Sequence, residues 1–88
     1  MGLDELPRLV GARVARLVDA ADADERELVL RLLEIGFLPG ERVCVIAQGF
    51  PAHDPLAVRI GHTTFALRRY EAALIRVVPE PTLARGAE

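Results

Sequence analysis

Residues Arg31 to Gly40 read R-L-L-E-I-G-F-L-P-G, and no other segment restricts the fold as tightly. Leu28, Leu32 and Ile35 recur at i, i+4 and i+7, with Val29 and Leu33 widening the apolar stripe, so an amphipathic helix runs into Gly36. Glycine there supplies the left-handed residue that commonly ends a helix, and Phe37 beyond it can fold back on Leu32. Leu38-Pro39-Gly40-Glu41 then carries the type II turn signature: proline fixes φ at the second position and glycine accepts positive φ at the third. Arg42 to Gln48 (R-V-C-V-I-A-Q) follows as the strongest strand pattern in the chain. A helix stop and a strand start this close together make a stiff junction.

The flanking sequence supplies more strands. Upstream, Arg13 to Val18 follows Gly11 as a loosely alternating strand, and Asp19 to Asp24 forms an acidic connector. Asp24 is expected to cap the helix, with Glu27 completing a capping box and pairing with Arg31 one turn on. Downstream, Gly49 to Pro55 is a loop with two prolines. Leu56 to Ile60 alternates well, Gly61-His62 fits a two-residue hairpin turn with glycine first, and Thr63 to Leu67 returns as the partner strand. Arg68 to Ala73 reads as a helical turn and Leu74 to Val78 as a last strand, stopped by Pro79-Glu80-Pro81. Residues 1–79 therefore form one domain and 80–88 a flexible C-terminal tail. The fold class is mainly β: a small SH3-like barrel of about five antiparallel strands with one inserted α-helix, because short strands expose edges unless the sheet curls closed.

Composition excludes several functions. The 88 residues, 51% hydrophobic and 27% charged, match one ordinary globular domain with a modest core. A net charge of −2 gives no strong attraction to nucleic acid or anionic lipid. All 11 basic residues are arginine, which reads as compositional bias. The single cysteine, Cys44, excludes an intramolecular disulfide and any Cys-x-x-Cys metal site, and its apolar strand context favours an inert thiol. The chain contains no serine and no phosphate-binding glycine loop ending in Lys-Ser or Lys-Thr, so it is not expected to be an enzyme. No signal-peptide pattern or membrane-length apolar run is present, which points to a cytoplasmic location without membrane insertion.

Three constellations remain as candidate sites. His53, Asp54 and His62 offer two imidazoles and a carboxylate suited to weak zinc or iron(II) binding, although they lie in separate loops. Arg68, Arg69 and Tyr70, with Arg59 and Arg76, could make a basic patch with an aromatic, but the acidic balance opposes nucleic-acid affinity. Leu38, Phe50, Pro51 and Tyr70 are large apolar or aromatic residues in or beside loops, the composition of a shallow partner-docking groove. Phe37 and Phe65, by contrast, are expected to cap the core.

The ordered set of signals resembles the FeoA family. Leu3-x-x-Leu6-Pro7 precedes a glycine-led strand, then R-L-L-E-I-G-F-L-P-G, then Phe50-Pro51, Asp54-Pro55, Val58-Arg59-Ile60 and finally F-A-L-R-R-Y-E-A-A-L-I-R-V at 65–77. Each piece alone is a turn or a strand; the order is specific and covers residues 3 to 78. The chain departs from the pattern at Leu9-Val10, where Pro or Lys is more usual, and in a longer, more acidic segment at 19–26. The resemblance implies an SH3-like fold and a non-enzymatic accessory role in bacterial ferrous iron uptake. The implied partner is the cytosolic part of the FeoB-type membrane transporter, with no required cofactor, and homodimer formation is left open. The alternative is a small SH3-like nucleic-acid-binding or metalloregulator-derived interaction module.

Overall fold

The structure, a computed structural model, describes residues 1–80. Five strands, β1 (Gly11–Leu17), β2 (Arg42–Gln48), β3 (Leu56–Ile60), β4 (Thr63–Leu67) and β5 (Ile75–Pro79), form one antiparallel sheet in the order β4-β3-β2-β1-β5. Helix α1 (Ala23–Ile35) is inserted between β1 and β2, and a single turn, α2 (Arg69–Ala72), joins β4 to β5. This is the mainly β, SH3-like architecture expected from the sequence. Strands β2, β3 and β4 span the residues that the pattern assigned to them.

The sheet curls through two irregularities. The register shifts between Val14 and Arg16 in β1 and between Val45 and Ala47 in β2, and extra residues of this kind bend a strand and raise its twist. Among the described residues no ladder joins β4 to β5. The N-terminal segment covers part of the β5 edge instead: Val77 N–H donates to the Met1 carbonyl at 2.8 Å, and Gly2 bridges to Arg76.

Alternation along the strands builds the core. Ala12 and Val14, Val43 and Val45, Leu56, Val58 and Ile60, Leu67, and Ile75 and Val77 all face inward and are buried. Leu3, Leu6, Leu32, Phe37, Ala72 and Leu74 close over them from the connecting segments. Phe37 has 0% exposure and packs its ring 6.3 Å from that of the partly buried Phe65.

The junction at 31–40 forms as its residues dictate. Gly36 ends α1 at φ +129, its N–H reaching the Leu32 and Leu33 carbonyls, and Phe37 N–H donates back to Leu32 at 3.1 Å. Gly40, at φ +92, lets Glu41 N–H close the turn on the Leu38 carbonyl at 3.0 Å. Gly40 N–H and the Val14 carbonyl (2.8 Å), with Val14 N–H and the Glu41 carbonyl (2.9 Å), tie that turn to β1.

Four local expectations are corrected. The helix cap is Asp22, not Asp24: Asp22 Oδ1 accepts from Glu25 N–H at 2.8 Å, and Glu25 Oε1 accepts from Ala21 N–H at 2.9 Å. Asp22 and Asp24 each carry a glutamate three residues on, and the earlier register brings Ala23 into the helix at little cost. Arg31 does not pair with Glu27; it reaches across to Glu71 on α2 at 3.4 Å. The first strand is shifted to Gly11–Leu17, ahead of the expected Arg13 to Val18. The last strand starts at Ile75 and runs through Pro79, which pairs with Ala12, and Glu80 N–H still donates to Gly11 at 2.9 Å. A proline on an edge strand needs no donor when its nitrogen faces away from the neighbour. Glu80 is thus held on the sheet, while the remainder of the expected tail, residues 81–88, lies outside the described residues.

The two capping registers give different mutational outcomes. Asp22→Ala should lower stability by about 1 kcal/mol, the usual cost of losing an N-cap. Asp24→Ala should change it by only a few tenths, roughly the helix-dipole contribution. Chemical denaturation of both variants checks this.

Candidate functional site

The loop between β2 and β3 presents the most exposed large apolar residue of the described chain. Phe50 is 93% exposed, and Pro51 beside it is also exposed. A mobile loop would spend such a side chain on entropy, but this one is closed at its base: Gly49 N–H donates to the Pro55 carbonyl at 2.8 Å. A Cβ at Gly49 would lie 2.5 Å from the Asp54 carbonyl oxygen, so only glycine lets the two ends approach this closely.

Two residues then fasten the loop to the body. Asp54 Oδ1 accepts from the Arg69 backbone N–H at 3.0 Å, serving as a cap for the short α2 from outside it. The Arg69 guanidinium donates to the His53 carbonyl at 3.3 Å and to the Asp4 carbonyl at 2.7 Å. One arginine thereby joins the loop, α2 and the N-terminal turn. Arg68 adds only a long ion pair to Asp54 at 4.0 Å, on the surface, where such pairs contribute little.

This arrangement sorts the residues singled out from sequence. Phe50, Pro51 and Tyr70, the last 63% exposed, sit on two segments stitched together by Asp54 and Arg69. Leu38 is 46% exposed but lies in the turn before β2, whereas Phe50 follows β2, so the strand separates them. Likewise His53 precedes β3 and His62 follows it, a span of roughly 15 Å or more at strand rise. The Asp54 carboxylate already holds α2. Among the described residues no group of three or more His, Cys, Asp or Glu is placed to hold one metal ion.

The basic run is also committed in part. Arg69 is half-buried and spent on backbone carbonyls, and Arg59 faces the sheet surface on β3. Arg68, Arg69 and Arg59 therefore do not form one patch around Tyr70.

Met1, Leu9, Leu30 and Val78 are exposed apolar residues outside those constellations, and Leu9 is the most exposed of them. Leu9 is 68% exposed, holds φ +69, and donates its N–H to the Val45 carbonyl at 2.7 Å. A leucine in the left-handed region costs about 1 kcal/mol or more. The sequence signal was its departure from the residue types usual at that position.

A family model described as the FeoA domain matches residues 1–79. The chain belongs to the FeoA family. Stenotrophomonas maltophilia FeoA, solved as a zinc complex and described as a procaryotic SH3 domain protein, is 38% identical over 89% of both chains, with a TM-score of 0.78. Iron(II) transport protein A from Clostridium thermocellum is 35% identical with a TM-score of 0.71, and the match covers 88% of this chain and 44% of that one. Chlorobium tepidum FeoA is 31% identical with a TM-score of 0.69, over 88% of this chain and 68% of that one. No curated protein sequence matches the chain.

In this FeoA-family chain the loop geometry itself is testable. Gly49→Ala forces the loop base apart and should destabilise the fold by about 1–3 kcal/mol, the range for overpacking. Leu9→Gly relieves positive φ and should stabilise it by up to about 1 kcal/mol. Thermal unfolding of the two variants reads both signs.

Proposed function

We propose that this chain is a non-enzymatic accessory protein of bacterial ferrous iron uptake that docks on the cytosolic part of the FeoB-type transporter through Phe50, Pro51 and Tyr70. The observation that carries this reading is the 93% exposure of Phe50 on a loop fixed at its base by Gly49 and Pro55 and at its flank by Asp54 and Arg69. Because the loop backbone is already held, covering its aromatic side chain requires little further ordering of the chain, and such residues dominate interface energies. Family membership supports the iron-transport setting. The similar Stenotrophomonas protein is described as a candidate activating factor of bacterial ferrous iron transport, and the Clostridium protein as an iron(II) transport protein.

Activation in this sense is a shift of the transporter between states, which requires that one state be bound better than another. The chain needs no resident cofactor for that role. Leu38, at the other end of β2, is a separate surface feature and not part of the docking face.

Binding of the purified transporter's cytosolic domain distinguishes these residues. Phe50→Asp should weaken it by roughly 30-fold or more, as expected for a buried aromatic anchor, with Tyr70→Asp close behind. Leu38→Asp should stay within about threefold. Wild-type affinity in both the Phe50 and Tyr70 variants removes the proposed face.

A further inference from the structure

The outer face of the sheet gathers three arginines at the end remote from Phe50. Arg13 and Arg42 stand directly opposite each other on the β1–β2 ladder, a placement in which like charges repel. Glu80 lies between them: Arg13 Nε donates to Glu80 Oε2 at 2.6 Å, and Arg42 Nε lies 3.3 Å from Glu80 Oε1. The backbone delivers that carboxylate, since Glu80 continues β5 with its N–H on the Gly11 carbonyl. Arg13 is aimed by a second bond, from Nη1 to the Gly40 carbonyl at 2.7 Å.

Arg59 completes the group. It sits across the ladder from Cys44, which is itself opposite Gly11. With Arg42, Gly11, Cys44 and Glu80, Arg59 borders a shallow depression of about 310 Å³. Its side chain is exposed, and among the described residues no carboxylate lies within ion-pair distance of it. Three cations face one anion here, so the patch is net positive on a chain whose total charge is −2.

We infer that this face is a binding site for glutamate side chains of an acidic peptide segment on a protein partner. Glu80 already displays the chemistry: a carboxylate delivered on an extended backbone and taken by arginines of β1 and β2. A partner glutamate would use Arg59 and share Arg42, with its methylenes over Gly11 and Cys44 on the floor. Glu80 competes for Arg42, so it sets the affinity from within the chain. This site shares no residue with the Phe50 face, and either can fail without the other.

A fluorescein-labelled oligoglutamate peptide, titrated at low ionic strength and read by anisotropy, tests it. Wild type should bind, and Arg59→Glu should weaken binding on the order of tenfold. Arg59→Ala should weaken it less, and it keeps the test intact if the charge reversal unfolds the chain. Glu80→Gln should tighten binding by about two- to threefold because it removes the competing carboxylate. Arg68→Glu makes the same charge change at the Phe50 end and should alter binding by less than about twofold. The proposal is overturned by no binding to wild type, by equal losses in Arg59→Glu and Arg68→Glu, or by a Glu80→Gln variant no tighter than wild type.

Discussion

Phe37 has no exposed surface, and the backbone on both sides of it is built to keep it there. On one side Gly36 turns the chain out of α1 and Phe37 N–H bonds back to Leu32; on the other, the Leu38–Glu41 turn is tied to Val14 of β1. Burying a phenylalanine this completely contributes about 2–3 kcal/mol of transfer free energy. That matters here because α1 brings little else to the core: of its own residues only Leu32 is fully buried, while Leu28, Val29 and Ile35 are partly covered. The helix is therefore positioned by the Gly36–Glu41 junction more than by its own stripe.

The same economy recurs at the far end of the sheet. A short loop and a one-turn helix cannot hold themselves, so Asp54 caps α2 and Arg69 closes His53 and Asp4 around it. The result is two surfaces of different character at opposite ends of β2 and β3. One presents Phe50 and Tyr70 to solvent with their backbones fixed. The other sets Arg13, Arg42 and Arg59 around a carboxylate from the chain itself. A domain this small has room for little interior chemistry, and what distinguishes it is how it holds side chains outward.

Much of this was legible in the sequence, for identifiable reasons. The junction could be read because Gly36, Pro39 and Gly40 each permit few backbone states, and strands β2, β3 and β4 could be read because their alternation is bounded by strong turn residues. Burial of Phe37 followed from its place behind Gly36, whereas for Phe50 the sequence marks only a loop position and its exposure comes from the fold. The helix cap was misplaced because Asp22 and Asp24 carry equivalent patterns, and only packing selects between them. Leu38 and Phe50 both look like loop residues in the sequence, and only the placement of β2 between them sets them apart on the surface. The roles of Arg69 and Glu80 rest on contacts with residues distant in sequence, which no local pattern encodes, and Leu9 occupies a conformation its side chain disfavours.

Amide chemical-shift mapping of the labelled chain, titrated with the transporter's cytosolic domain, tests the docking face most directly. The largest perturbations should fall on the loop at 49–54 and on residues 69–71, where Phe50 and Tyr70 are carried. Binding that leaves both segments unperturbed would contradict a docking face built on these two side chains.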